Sequence, residues 1–429
     1  MTADGAGSLD DRFAAAMGQL LGPDFPPEVA LAVSGGGDSM AMLALAHNWT
    51  RRWGVALRVV TVDHGLRPES AAEARLVAAE CAALGHPHAT LRWHWDGRGN
   101  VMDAARRARI DLIARWCGSI RHVLFAHTAD DVAETFLMRL ARGAGVDGLS
   151  AMAPARRVGG FTLVRPCLDM GREELRHYAR TLRVPWVDDP TNEDPAYDRT
   201  RMRRLVALMA AEGLGADTLA AAAGRMRRAR RALEARTRDL ARAAMDAAAP
   251  EGVAGALTFD RGVVEASDRE TQVRLVAAAL TWTSGAEYRP RGPAVEALVE
   301  TLLSGGRGTL HGAEAECGRR TIRVWRDFAA VRHVVAAPGP ASAWDGRHQI
   351  DGAGIEDCEV RALGVDGWAQ IPAHLRENPP EGAPPLRIAR ACPALWRDGA
   401  LAGFAPMGFG PAHAVRDRRS PFTAFLLSD

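Results

Sequence analysis

Through the first two hundred residues, short apolar runs alternate with longer amphipathic ones. "EVALAV" at Glu28–Val33, "LRVVTV" at Leu57–Val62, "ATLRW" at Ala89–Trp93 and "HVLFA" at His122–Ala126 have strand length. Between them lie stretches of helical periodicity such as "SAAEARLVAAECAAL" (Ser70–Leu84) and "HTADDVAETFLMRLARG" (His127–Gly143). This alternation predicts βαβ units around a parallel, Rossmann-like sheet. Ligands of such sheets bind at the carboxyl ends of the strands. Three polar clusters fall there: Ser34–Ser39, Asp63–His64 and His127–Asp131.

Beyond about Leu205 the pattern becomes Ala- and Arg-rich and helical, closing with "GTLHGAEAECGRRTIRVWRD" (Gly308–Asp327), which predicts a hairpin. A Pro- and Gly-rich stretch near Pro338 marks a boundary. Residues 344–429, rich in Pro, Gly and Trp, predict a small β-containing domain. The expected organisation is an α/β domain over residues 1–204, a helical domain over 205–337 and a small C-terminal domain over 338–429, in keeping with a chain of 429 residues.

Composition narrows the chemistry. No apolar run approaches the ~20 residues of a membrane span. The N-terminus "MTADGAGSLDDRF" has no basic-then-apolar signal pattern, so a cytoplasmic location is expected. The six cysteines form no CxxC pair, which argues against zinc, an iron–sulfur cluster and a disulfide framework. Lysine is absent from the sequence, so a Walker-type lysine, a Schiff base and a lysine general base are excluded. Net charge is only +2, yet residues 199–240 carry eleven arginines against four acidic residues, a local excess of seven. That is the footprint of an RNA or phosphate partner.

"SGGGDS" at Ser34–Ser39 follows a strand and opens a helix. Gly35, Gly36 and Gly37 allow positive φ and close approach to a phosphate. The start of the helix near Asp38 supplies free N–H groups and a positive dipole end. Ser34 and Ser39 add hydroxyls, and Asp38 is placed to hold Mg²⁺ or its waters. Asp63 and His64 end the second strand at the same sheet edge, with Ser70 and Glu73 forming a capping box behind them. In the third cluster Thr128 is an N-cap with Asp131 at N3, whereas Asp130 and Glu134 share a helix face and His127 ends the strand. Two carboxylates and an imidazole facing a phosphate cradle suit metal binding, or removal of a proton from an amine. Gly143 is a natural helix stop, and Arg142 beside it is a candidate contact.

In this order, these residues resemble the N-type ATP pyrophosphatases, whose signature is SGGxDS. They resemble most closely the bacterial tRNA(Ile)-lysidine synthetase family. "DHGLRPES", "AHTADDVAET", "RGAGVDGLSAM", "RPCLDMGREEL" and "DDPTNEDPAYDRTRMR" match successive family segments between about residues 30 and 204. The family's second His of the third segment is Thr128 here, the Asn of its arginine run is Thr200, and Ile110 replaces a Tyr.

The resemblance implies a two-step ligation with ATP and Mg²⁺. The wobble cytidine of a CAU-anticodon isoleucine tRNA is adenylated with loss of diphosphate. The ε-amine of free lysine then displaces AMP. Ser34–Ser39, Asp63 and His64 would bind ATP, and Asp38 and Asp131 the metal. The amine has a pKa near ~10.4, so it needs a base, for which His127, Asp130 and Glu134 are the candidates. Asp130 would meet the lysine ammonium and Arg199 or Arg203 its carboxylate. Arg142, Arg201, Arg204, Arg225 and Arg228 would meet tRNA. The alternatives are another tRNA-modifying ATP pyrophosphatase, or a catalytically silent RNA- or ATP-binding protein.

Overall fold

In the computed structural model, residues 7–66, 69–95, 97–188 and 198–426 are described. Arg67 and Pro68 of "DHGLRPES", and the "DPTN" segment at 189–192, lie outside the described residues. The chain divides into two compact units, residues 1–230 and 231–428.

The first unit runs α1 (Leu9–Leu21), β1 (Glu28–Ala32), α2 (Gly37–Trp53), β2 (Ala56–Asp63), α3 (Ser70–Leu84), β3 (His88–Arg92), α4 (Val101–Cys117), β4 (His122–Phe125), α5 (Ala129–Leu140), α6 (Val146–Leu149), β5 (Ala155–Val158), β6 (Phe161–Val164), α7 (Arg172–Thr181) and α8 (Asp198–Ala210). The long α9 (Ala216–Ala247) follows. The sheet order is β3-β2-β1-β4-β6-β5. All neighbours are parallel except the β5–β6 hairpin.

Alternation along the strands builds a core on each face of this sheet. Val29 and Leu31 of β1 and Leu124 of β4 pack with Phe13 of α1, Leu43 of α2, Val77 of α3 and Leu175 of α7. Ala30, Val123 and Phe125 face the other way, against Ile113 of α4 and Phe161. Full burial of a side chain such as Leu31 stabilises the fold by about 2 kcal/mol. The apolar stripe of α5, including Val132, Phe136 and Leu137, packs instead on Val206 of α8 and on Leu219 and Ala223 of α9.

The chain builds β1, β2 and β3 in one direction, then returns through α4 to lay β4 on the other side of β1. The switch point is therefore between β1 and β4, where connections leave in opposite directions and open a crevice at the carboxyl ends. The loop after β1 is Val33–Gly36, and the loop after β4 is Ala126–Thr128.

The second unit opens with the end of α9, then β7 (Ala256–Asp260), α10 (Arg261–Glu265), α11 (Arg269–Ser284), α12 (Gly292–Leu303), β8 (Arg307–Leu310), β9 (Ala313–Cys317) and β10 (Thr321–Arg326). The stretch expected as a hairpin is a three-strand meander, and β7 adds a fourth strand beside β10. Two glycine turns, at Gly312 with φ +72° and at Gly318, explain why one extra strand fits in so short a segment. The remaining elements are α13 (Phe328–Val331), β11 (Val335–Ala336), β12 (His348–Gly352), β13 (Glu359–Ala362), α14 (Gly364–Gln370), α15 (Ala373–Glu377), α16 (Leu386–Ala389), β14 (Pro393–Arg397), β15 (Ala400–Gly403), β16 (His413–Asp417) and α17 (Phe422–Phe425). They form an antiparallel sheet β11-β13-β14-β15 and a β12–β16 ribbon.

Candidate active site

The loop after β1 differs in detail from the sequence expectation. α2 begins at Gly37, one residue early, with Gly36 as its N-cap at φ −74°. Only Gly35 of the three glycines has positive φ, +91°. Gly37 is helical, and a Cβ there would meet the Arg176 and Trp186 side chains at 3.4–3.5 Å, an ordinary packing distance. Ser39 is buried, and its Oγ donates to the Gly36 carbonyl at 2.9 Å while accepting from the Ser34 N–H at 3.2 Å. Its proton thus staples the loop into shape, and Ser34 presents the exposed hydroxyl. The Gly35 carbonyl accepts from the N–H of Val187 at 3.0 Å, which fixes the loop from the far side.

Thr128 and Asp131 form the expected capping box at the start of α5. Asp131 Oδ2 accepts from the Thr128 N–H at 2.9 Å. The second expected box is not formed: Glu69 is the N-cap of α3 without a side-chain bond, and Ser70 bonds Asp63 instead. Asp63 also accepts from the Gly65 N–H at 2.9 Å. Burial alone would raise the Asp63 carboxyl, but these bonds, with Arg92 and His64 nearby, hold it below the usual range. Asp63 is thus a loop organiser at the sheet edge.

The sequence missed the residue that ties the site together. Arg172 opens α7, and its guanidinium lies among three carboxylates: Asp38 at 3.1 Å, Glu134 at 3.4 Å and Asp131 at 3.5 Å. Its backbone N–H donates to a fourth, Asp130, at 2.7 Å. Burial alone would lower the Arg172 pKa, but Asp131, Asp38, Glu134 and Asp130 together raise it. Glu134 is 1% exposed and takes a second partner, Arg203 of α8, at 2.9 Å. A signal was available in the sequence. Four acids converging on one sheet edge need a cation, and "RPCLDMGREEL" supplies Arg172.

Burial raises the Asp38 carboxyl, and Arg172 and Arg176 only partly offset it. Among the described residues, Asp38 Oδ1 is buried without a hydrogen-bond partner beside the cradle, as is Glu134 Oε2. These orphan oxygens suit a divalent cation or a substrate ammonium. Mg²⁺ typically takes one or two protein carboxylates and completes its shell with water and phosphate. Asp38 fits that demand. Asp131 has one oxygen held by the Thr128 cap and the other facing Arg172.

A cationic cluster adjoins these carboxylates. Burial and the proximity of Arg106 and Arg199 lower the Arg109 pKa. Burial lowers Arg165 to about 10, with Arg106, Arg156 and Arg227 adding to the effect. Two imidazoles lie on this side. Burial, with Arg109 close by, pushes His64 down to about 4. Burial pushes His127 to about 3; Asp131 opposes the shift while Arg165, Arg199 and Arg109 reinforce it. Arg165 Nε donates to His127 Nδ1 at 3.2 Å. The His127 proton therefore resides on Nε2, making the ring a neutral donor rather than a base. Of the three candidate bases, this leaves the carboxylates Asp130 and Glu134.

Arg199 and Arg203, one turn apart on α8, both reach the site: Arg199 acts on His127 and Asp131, and Arg203 pairs with Glu134. Arg201 and Arg204 are exposed, and Arg201 pairs with Asp198. Arg142 is exposed and lies 3.5 Å from Asp198. Arg225 and Arg228 are exposed on α9. The nominated arginines thus separate: Arg199 and Arg203 reach the cluster around Arg172, whereas Arg142, Arg201, Arg204, Arg225 and Arg228 are exposed. Thr200, in place of the family's Asn, is buried.

A family profile described as a PP-loop domain matches residues 9–209. A tRNA(Ile)-lysidine synthase of Ruegeria pomeroyi is 40% identical over 94% of this chain and 94% of its own length. One from Bradyrhizobium sp. (strain BTAi1) is 42% identical over 68% of this chain and 83% of its own. One from Wolbachia pipientis is 31% identical over 82% and 83%. The likeness therefore extends through both units rather than stopping at the PP-loop domain.

Proposed function

As the chain belongs to the tRNA(Ile)-lysidine synthase family, an ATP-using ligase family built on the PP-loop domain, we propose that it joins free L-lysine to C2 of the wobble cytidine of CAU-anticodon tRNA(Ile). The site's acidic cluster, with the cationic cluster adjoining it, carries this reading. A free amino acid with a cationic side chain needs both: carboxylates for its ammonium groups and a guanidinium for its carboxylate.

ATP phosphates lie at the Ser34–Ser39 cradle, held by its backbone N–H groups, the α2 dipole and the Ser34 hydroxyl. Mg²⁺ held by Asp38 would offset the charge of the departing diphosphate. Asp131 holds the start of α5 so that Asp130 and Glu134 face the same space. Arg199 and Arg203 take the lysine carboxylate. His127 donates from Nε2 toward the oxygen that gains charge as the base is activated. The incoming ε-ammonium displaces Arg172 from the carboxylate cluster and loses its proton to Asp130 or Glu134. A group with a pKa near ~10.4 enters that cluster charged and reacts neutral, so a carboxylate must accept the proton at the moment of attack. Arg142, Arg201, Arg204, Arg225 and Arg228 follow the tRNA backbone.

The test is incubation with folded CAU tRNA(Ile), ATP and radiolabelled lysine. Lysine should enter the tRNA with one AMP formed per lysine. Incorporation into methionine tRNA at an equal rate, or none into tRNA(Ile), would overturn the assignment.

A further inference from the structure

The β8–β9–β10 sheet in the second unit has an unusual outer face. Ala313, Ala315, Cys317, Ile322 and Val324 point into the core with α11 and α12. Alternation sends Glu314, Glu316, Arg323 and Trp325 to the opposite face. Strand register aligns them in two rows: Arg307–Glu316–Arg323 and Thr309–Glu314–Trp325. A charged sheet face is ordinarily left to water, but this one is partly covered. Arg387 of α16 pairs with Glu316, and Arg390 pairs with Glu314 at 2.6 Å.

A cavity of about 520 Å³ lies beneath this cover, lined by Glu316, Arg323, Trp325, Arg387 and Arg390 on its polar side. Val365, Leu386 and Ile388 line its apolar side. A second hollow of about 430 Å³ continues past Arg307 and Glu314, sharing Trp325, Arg387 and Arg390. Such volumes suit a small organic molecule.

The donors around the cavity exceed the acceptors. Trp325 is 3% exposed, and its indole N–H has no acceptor among the described residues. The Nε–H groups of Arg323 and Arg390 are likewise buried and without an acceptor among the described residues. Each unmatched buried donor costs about 1–3 kcal/mol. Four arginines face two glutamates across the two hollows, leaving two positive charges over. Surplus donors with surplus positive charge call for an oxyanion, and the guanidinium fork matches a phosphoryl group.

We propose that this cavity binds a phosphate monoester. Its phosphoryl group accepts from Arg323, Arg390 and the indole N–H of Trp325, and its organic part rests on Val365, Leu386 and Ile388. A free mononucleotide and the 5′-terminal phosphate of an RNA carry the same chemistry.

The full chain labelled with ¹⁵N at tryptophan gives a local readout, separate from any binding at the ATP cradle. Trp325→Phe identifies the Trp325 indole resonance among the eleven. Inorganic phosphate and AMP should each move it downfield to saturation, and adenosine should not. In Arg323→Gln and in Arg390→Gln the half-saturating concentration should rise tenfold or more, with the other indole resonances in place as proof of folding. If AMP saturates well below inorganic phosphate, the occupant is a free nucleotide. If AMP is no tighter, and 5′-phosphorylated tRNA shifts the resonance while dephosphorylated tRNA does not, the occupant is an RNA end. The proposal falls if millimolar phosphate and AMP leave the resonance unmoved, if adenosine acts equally, or if both variants respond like wild type.

Discussion

Replacing Arg172 with Met keeps the backbone bond to Asp130 and most of the side-chain volume, but removes the charge that Asp38, Asp131 and Glu134 share. At an effective dielectric constant of ~20, each pair contributes about 4 kcal/mol, so three contribute about 12 kcal/mol gross. The desolvation of Arg172 opposes this, and Glu134 keeps Arg203. Removing one partner of a buried ionic group leaves a net loss of about 3–5 kcal/mol. The loss is local, so hydrogen exchange is the assay: amides of α5 and α7 should exchange about 100- to several-thousand-fold faster, at ~1.4 kcal/mol per tenfold. Adding Glu134→Gln should restore part of the protection, with a coupling of about 1–3 kcal/mol. The variant-to-wild-type ratio should shrink on acidification. Burial already raises the Asp38 carboxyl, and loss of Arg172 raises it further, so Asp38 takes up a proton at a higher pH in the variant than in wild type and the repulsion falls. A change under tenfold at pH 8, or no recovery in the double variant, would refute Arg172 as the charge centre of the site.

Other consequences are as direct. Gly35→Ala imposes a left-handed conformation on a residue with a Cβ and should cost about 1–2 kcal/mol, along with most tRNA-dependent ATP–diphosphate exchange. Gly36→Ala, at φ −74° with its nearest contact at 3.7 Å, should keep the fold, as thermal melting will show. Because His64 and His127 have folded pKa values below 6.5, the unfolded chain binds more protons than the folded one below that pH. Stability of the first unit should therefore decline on acidification from pH 6.5 toward pH 4, less steeply in His127→Gln, as urea titrations at each pH will measure. Arg225→Gln and Arg228→Gln should each weaken tRNA binding and reduce the slope of log K against log salt by about 0.9, measured by filter binding; an unchanged slope would remove that residue from the RNA surface.

Much of the site was legible because its chemistry is local. The strand–loop–helix at Ser34–Ser39 and the cap at Thr128–Asp131 are set by residues within a few positions of one another. The capping box at Ser70 failed because a competing acceptor, Asp63, comes from the neighbouring strand end. The hairpin expected at Gly308–Asp327 became a meander because periodicity marks strands but not how many turns divide them. The roles assigned to Gly36 and Ser39 shifted for a similar reason. Residue type permits positive φ or a phosphate bond, and the closed geometry of the loop decides which is used.

The sequence by itself determined the parallel sheet, the strand ends at which chemistry collects, the absence of any lysine side chain of its own from the chemistry, and the basic character of α8 and α9. Each follows from periodicity, residue type or a count, and none needs to know what meets what. Only the tertiary structure decided that Arg172, 134 residues from Asp38, neutralises the acidic wall. It also decided that Arg165 turns His127 into a neutral donor, and that a partly covered sheet face in the second unit is left with more donors than acceptors. Charge state and hydrogen-bond direction depend on burial and on partners distant in the chain, and both are properties of the folded molecule alone.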